Sequence, residues 1–336
     1  MKVLFLHSNT PDYLAESLFH GLRTLLGGNC VDVPRYDSMY APLTDRFRSK
    51  LRGYGFTLYG LLEDIPELAE DRYFWQEEID SYDIIVIANI WRQEEQLWKL
   101  QSFVRSEKIV ILDGEDTPSL FPWANNKWRL RKKYWSYLLD IYNCKCFKRE
   151  LIGKGYSYRL NGFLHRLLRK SVPFRQNLYP ISFSIPEDKI CEGDVNYKTK
   201  DFPAHIVDPE VAVHVLGSSK QYVFSSEAEY YEDLRRSRFG ITTKRGGWDC
   251  LRHYELAASG CILCFKDYDL KPTTCAPHGL DESNCIIYHH FKELHEKIFS
   301  ITEDEYEKLQ KNTYKWIKSN TTITRAKWFL RACGLY

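Results

Sequence analysis

The densest group of chemically capable residues is Thr243-Lys244-Arg245-Gly246-Gly247-Trp248-Asp249-Cys250-Leu251-Arg252-His253-Tyr254-Glu255-Leu256-Ala257-Ala258-Ser259-Gly260. A strand-length run, Phe239 to Thr243, ends as this stretch begins. Gly246 and Gly247 then free the backbone before a helix for which Asp249 is the expected N-cap. A helix N-terminus at the end of a buried strand presents outward N–H groups and a positive dipole end, and Lys244 and Arg245 add full charges, a combination suited to a diphosphate. Arg252 and Glu255 are three residues apart and share one helix face. A guanidinium there suits a phosphate and a carboxylate suits a vicinal diol. The same spacing also makes an ordinary surface ion pair.

A second group is Asp113-Gly114-Glu115-Asp116, directly after the apolar run Ile109 to Leu112. Carboxylates at the C-terminal edge of an open α/β sheet stand where such sheets bind ligands, and one of Asp113, Glu115 and Asp116 could take a proton as a general base. The plainer reading is a solvated turn capping the next helix. His7, just past the first apolar run, is a further catalytic candidate, with a hydrogen-bonded loop histidine as the alternative. His253 can simply pack against the sheet. Asp267-Tyr268-Asp269 has the spacing of a metal-binding D-x-D but follows the Arg252 helix, so no metal is expected. Cys261-x-x-Cys264 is a possible zinc half-site on spacing. In a buried strand, however, residues three apart face opposite sides of the sheet, which rules out a shared metal.

The elements that would position these residues alternate regularly. Val3 to Leu6 is a strand, followed by Pro11 and Asp12 as helix-start signals and by Leu14, Leu18, Leu22, Leu25 and Leu26 at helical spacing up to Gly27-Gly28. Cys30 to Val33, Ile84 to Ala88 and Ile109 to Leu112 are further strands, with a helix over 94–104 between the last two. Residues 124–140 read as helix, 144–149 as extended, and 153–176 as basic and partly irregular. Strands at 221–224, 239–243, 261–265 and 285–288 follow, with helices at 227–238 and 249–259 and others starting near 291, 303 and 323. Apolar strands alternating with helices give a parallel sheet covered on both faces.

The chain has 336 residues, enough for two α/β domains and a cleft between them. Its net charge is only +2, but residues 127–175 hold 14 Lys/Arg against 2 Asp/Glu, interleaved with aromatic residues. This belt suits an anionic partner such as a lipid-linked or charged glycan, and peripheral contact with a membrane face is a further expectation. The plainer reading is a solvated helix with a buried aromatic face. The ten cysteines are irregularly placed and read as reduced core thiols. The run Val3 to Leu6 is too short for a signal-peptide core, so the expected location is cytoplasmic.

The 243–260 stretch resembles the C-domain signature of GT-B glycosyltransferases, in particular the exostosin-like and spore-coat-type families, which carry R-x-x-E-x-x-x-x-G-C before a buried strand. Arg252, Glu255, Gly260 and Cys261 match it. Tyr230 to Gly240 resembles the preceding helix and strand, and Tyr306 to Leu330 the closing helices. Phe19-His20-Gly21-Leu22 and Leu112 to Asp116 carry a looser likeness. The resemblance implies an α/β fold of two Rossmann-like domains facing a cleft, with residues 1–185 on the acceptor side, 186–318 binding the donor, and 319–336 returning to the first domain. It also implies a UDP- or GDP-linked sugar as donor, held by Thr243, Lys244, Arg245, Gly246, Gly247, Arg252 and Glu255, with neither cofactor nor metal required. Arg252 and Lys244 would meet the diphosphate, and Glu255 the ribose or the sugar. The loop 266–278 has no match, so the sugar stays open. Other classes compatible with the sequence are a nucleotide-sugar epimerase, a noncatalytic nucleotide- or sugar-binding protein, and a glycosyltransferase acting on nucleic acid, the least favoured acceptor.

Overall fold

A computed structural model describes residues 1–8, 10–118, 120–121, 143–152, 177–191 and 197–336. The expected helix at 124–140 and the basic stretch 153–176 lie outside them.

Two parallel sheets organise the chain. The first has strands β1 (Val3–Leu6), β2 (Cys30–Val33), β3 (Ile84–Ile87), β4 (Ile109–Asp113), β5 (Lys145–Lys148) and β6 (Leu178–Pro180), in the order 2-1-3-4-5-6. Its register aligns Leu6 with both Val33 and Ile87. Because side chains alternate across a strand, Val3 and Phe5 enter one apolar cluster while Leu4 and Leu6 enter another on the opposite face. A sheet buried on both faces explains why β1, β3 and β4 up to Leu112 read as unbroken apolar runs. β6 was not expected from sequence; it is an edge strand, a position where Pro180 costs no ladder bond.

The second sheet holds β7 (Phe239–Thr242), β8 (Ile262–Lys266) and β9 (Cys285–Tyr288), in that order. Cys261 joins the cluster on one face and Cys264 the cluster on the other. The strand expected at 221–224 is irregular. Tyr222 and Phe224 pack in an aromatic cluster with Phe56 and Tyr230, so their apolar surface is buried without a ladder.

Helix Tyr13–Leu26 starts at Asp12, whose side chain accepts from the Leu14 and Ala15 N–H groups, and stops at Gly27, where φ is +55°. The last helix, Thr322–Ala332, packs against it. Gly21 makes this approach possible, because a Cβ there would overlap the Thr322 carbonyl. His20 Nδ1 lies 2.9 Å from Thr322 Oγ1. Among the described residues, no helix is long and apolar enough to cross a membrane.

Candidate functional site

The loop after β7 and the helix Leu251–Ala258 meet the C-terminal edge of the first sheet. Gly246 lies against Asp116, which follows β4, and Gly247 lies against Arg149 and Glu150, which follow β5. The two sheets therefore face each other across a cleft at the ends where their strands terminate.

Neither glycine adopts the left-handed conformation. They are needed for room: a Cβ on Gly246 would overlap the Asp116 carboxylate, and one on Gly247 would overlap Glu150 and the Arg149 guanidinium. Asp249 is not the helix cap either. Cys250 holds that position without a side-chain bond, while the buried Asp249 carboxylate accepts from Phe183 N at 2.8 Å and Tyr254 Oη at 2.9 Å. Two N–H groups of the loop just before the helix cap are taken by the chain itself. Glu150 Oε1 accepts from Trp248 N at 2.9 Å and Asp249 N at 3.2 Å, and also from Arg149 Nη1 at 2.9 Å. Arg149, 1% exposed, further donates to the Asp249 carbonyl at 2.7 Å and the Gly114 carbonyl at 3.0 Å, and pairs with Asp116. Burial raises the Glu150 pKa, opposed by Arg149 and the two N–H groups.

The cations of the loop are differently placed. Lys244 and Arg245 are exposed, Lys244 Nζ lying 5.1 Å from the centre of the Trp248 ring. Arg252 is half-buried; its Nη1 donates to the His205 carbonyl at 3.4 Å. Arg252 and Glu255 do not form the ion pair their spacing allows, and none of these three cations has a carboxylate partner within 4 Å among the described residues. Burial, then the charge of Arg252, pushes the His205 pKa down to about 4, with Arg245 also contributing, so the ring is neutral at pH 7.

Glu255 is buried, at 9% exposure, and both of its oxygens accept from hydroxyl groups: Oε1 from Thr57 Oγ1 at 2.5 Å and Oε2 from Tyr230 Oη at 2.5 Å. Thr57 comes from the first domain. Its hydroxyl has one proton, given to Glu255, and it accepts from Tyr231 Oη at 2.9 Å; its N–H donates to Glu227 at 2.8 Å. Its φ is +71°, a conformation that strains a β-branched residue and persists only where its surroundings hold it. Nothing in the sequence signals it. Beside it, Tyr54 stacks on Tyr222 with centroids 5.3 Å apart.

The sequence-predicted catalytic residues separate into distinct environments. Asp113 does not reach the cleft. It is 0% exposed, paired with the equally buried Lys148 at 2.9 Å and accepting from Trp91 Nε1 at 2.9 Å. It is the last residue of a strand covered on both faces, so its side chain points into the sheet layer. Asp116 is exposed and held by Arg149. Glu115 is half-buried, and its carboxylate has no ion-pair partner among the described residues. His7 is the buried loop histidine: Nδ1 lies 3.0 Å from the Ser8 carbonyl and Nε2 2.5 Å from that of Pro34, the ring stacks on Tyr36, and burial lowers its pKa. His253 packs under the sheet, with Nδ1 2.7 Å from Thr242 Oγ1. Asp267 and Asp269 lie beyond β8, against His289. Most of the basic belt is outside the described residues. Of its described cations, Lys148 and Arg149 are buried in ion pairs, so they do not belong to a solvated surface.

Sequence reasoning missed two residues at the switch point between β1 and β3, where open α/β sheets take ligands. Asn89, after β3, has φ +53° and a buried Oδ1 without a partner, and Ser8, after β1, has a buried Oγ likewise unpartnered. An Asn directly behind a buried strand was the legible signal, since Asn tolerates the left-handed region.

Six parallel strands with helices, facing a second parallel α/β unit across their C-terminal edges, make this a GT-B fold. No family model and no curated protein matches the sequence. Among solved structures, an alpha-glucosyltransferase in complex with UDP-glucose and DNA containing an abasic site is similar at 12% identity, covering 99% of both chains with a TM-score of 0.55. The trehalose-6-phosphate synthase OtsA is similar at 12% identity over 100% of this chain and 99% of its own, with a TM-score of 0.53. Anabaena Alr3699/HepE in complex with UDP is similar at 11% identity over 99% and 100%, with a TM-score of 0.52.

Proposed function

We propose that the chain is a glycosyltransferase that takes a sugar from a UDP- or GDP-linked donor lying on Lys244, Arg245, Arg252 and Glu255, with residues 186–318 binding the donor and 1–185 the acceptor. The observation that carries this reading is the grouping of three cations without carboxylate partners beside a carboxylate whose partners are both hydroxyls. Cations fixed in a cleft stabilise the charge that grows on a leaving diphosphate, so no metal is required. Glu255 would exchange the Thr57 hydroxyl for one of the ribose or sugar. The acceptor would enter along Ser8 and Asn89, where buried polar atoms lack partners. Of the three carboxylates after β4, Glu115 is the one we assign as base for an inverting transfer, because Asp113 and Asp116 are committed to ion pairs. The finer kinship, to exostosin-like and spore-coat-type enzymes, rests on Arg252, Glu255, Gly260 and Cys261. Solved neighbours that bind UDP or UDP-glucose support the donor class.

Titration with UDP and GDP tests this reading. We expect one to bind, and Arg252→Ala to weaken it by about 10- to 150-fold, the worth of a charge-assisted hydrogen bond, in a variant that stays folded. Unchanged affinity would return Arg252 to a structural role.

An anionic or lipid-linked glycan is the acceptor we favour, with the 127–175 belt as its contact or as a contact with a membrane face. One observation favours a second reading. A neighbour of this fold was solved with DNA, and the belt holds 14 Lys/Arg. A nucleic-acid acceptor would show binding that falls steeply and log-linearly with salt.

A further inference from the structure

A cavity of about 510 Å3 shares no lining residue with the cleft described above. It lies between the loop 277–284 and the junction of helices Glu303–Lys318 and Thr322–Ala332. His278, Asn284, Asn312, Lys315, Trp316 and Arg325 line much of it, and no carboxylate does. Its volume is within the range of small-molecule sites.

Arg325 is the residue that calls for explanation. Its Nη2 donates to Ser182 Oγ at 2.5 Å and to Asn320 Oδ1 at 2.7 Å, both neutral acceptors. Its Nε is buried with no partner, and no carboxylate lies within 4 Å of the guanidinium among the described residues. Arginine cannot relieve such a position by losing its proton. The buried Asp249 carboxylate acts on Arg325 from beyond ion-pair distance, but a largely buried charge whose direct hydrogen-bond partners are all neutral is costly unless a closer counter-charge arrives. Lys315, at the rim, is exposed, and its ammonium donates to Asn312 Oδ1 at 3.4 Å. The wall between the two cations is firm. Trp316 Nε1 donates to the His278 carbonyl at 2.8 Å, Asn312 Nδ2 to the Ser283 carbonyl at 2.9 Å, and Asn284 Nδ2 to the Gly279 carbonyl at 2.9 Å.

We propose that this cavity is a second anion site, taking a small phosphate-bearing molecule with its phosphoryl oxygens on Arg325 and Lys315 and any sugar ring against Trp316. Arg325 Nη1 and the Lys315 ammonium, on one cavity whose lining has no carboxylate, suit a tetrahedral oxyanion. The site stands apart from the donor reading and survives its failure.

The test is isothermal titration of the full chain with inorganic phosphate and, separately, with a hexose monophosphate, at ionic strength fixed by chloride. Wild type should bind, Arg325→Gln and Lys315→Ala should each weaken binding about tenfold, and Lys244→Ala should leave it unchanged. Tighter binding of the hexose monophosphate identifies a sugar phosphate as the occupant, and equal affinities identify phosphate alone. Lys315 is exposed, so its variant reports even if Arg325→Gln fails to fold. The proposal is overturned if neither ligand binds at about 10 mM, well beyond useful affinity, or if binding survives Lys315→Ala and is lost in Lys244→Ala.

Discussion

Replacing Thr57 with valine should strengthen donor binding. The Thr57 hydroxyl donates to Glu255 at 2.5 Å, and this carboxylate is the group we assign to a ribose or sugar hydroxyl. The donor must break that bond before it can make its own. Valine keeps the branched shape and removes the hydroxyl, so the cost of breaking disappears while the new bond is unaffected. A hydrogen bond to a charged group is worth ~1.5 to 3 kcal/mol net. That predicts about a 10- to 150-fold lower Kd for the nucleoside diphosphate. The lost partner of Tyr231, which donates to the same hydroxyl at 2.9 Å, affects stability in the free and bound states alike. Isothermal titration of wild type and Thr57→Val with UDP or GDP measures the change, and circular dichroism confirms folding. A folded variant with equal or weaker affinity refutes the competition between Thr57 and ligand for Glu255.

The carboxylates after β4 should divide by role. Asp113→Asn breaks a fully buried pair with Lys148 and should cost ~3 to 5 kcal/mol of stability, read by denaturation, whereas Glu115→Gln should keep stability and lose ~100- to 10,000-fold in turnover. The protein should also be acid-labile. Burial first of all pushes His20, His205 and His253 down to about 4, below their ordinary value of 6.5. Each is neutral in the fold and binds a proton more readily when unfolded, so its contribution is complete above pH 6.5 and is lost as pH falls toward 4. Melting temperature should therefore drop through that window, and a flat profile from 6.5 to 4.5 would contradict it. If, as we propose, side-chain cations and not a metal face the diphosphate, turnover should survive EDTA; loss restored by manganese would bring Asp267 and Asp269 into the site.

Strands and helices were legible where burial follows a simple period. Val3 to Leu6, Ile84 to Ile87 and Cys285 to Tyr288 fall where apolar runs place them, because a parallel strand covered on both faces favours apolar residues on both. Gln221 to Phe224 reads as a strand without being one, since an aromatic cluster from two domains partly buries Tyr222 and Phe224 while Gln221 and Val223 stay exposed. Arg252 and Glu255 could be picked out because three-residue spacing puts them on one helix face. What was not legible is everything set by the other domain. Thr57 at φ +71° defies its local preference, and Glu150 reads as one acid within a basic belt.

That last contact changes how an anion can be held. A helix N-terminus after a glycine pair reads as a phosphate cradle, yet in the loop just before the Cys250 cap the Trp248 and Asp249 N–H groups are already satisfied by Glu150. Gly246 and Gly247 are small so that Asp116, Arg149 and Glu150 can close on the loop. The loop before the helix thus ties the second domain to the end of β5. In the proposed reading, diphosphate recognition passes to Lys244, Arg245 and Arg252, which have no carboxylate partner within 4 Å among the described residues. A fixed joint with cations beside it that no carboxylate neutralises suits a cleft that must admit a charged donor without losing the alignment of its two sheets.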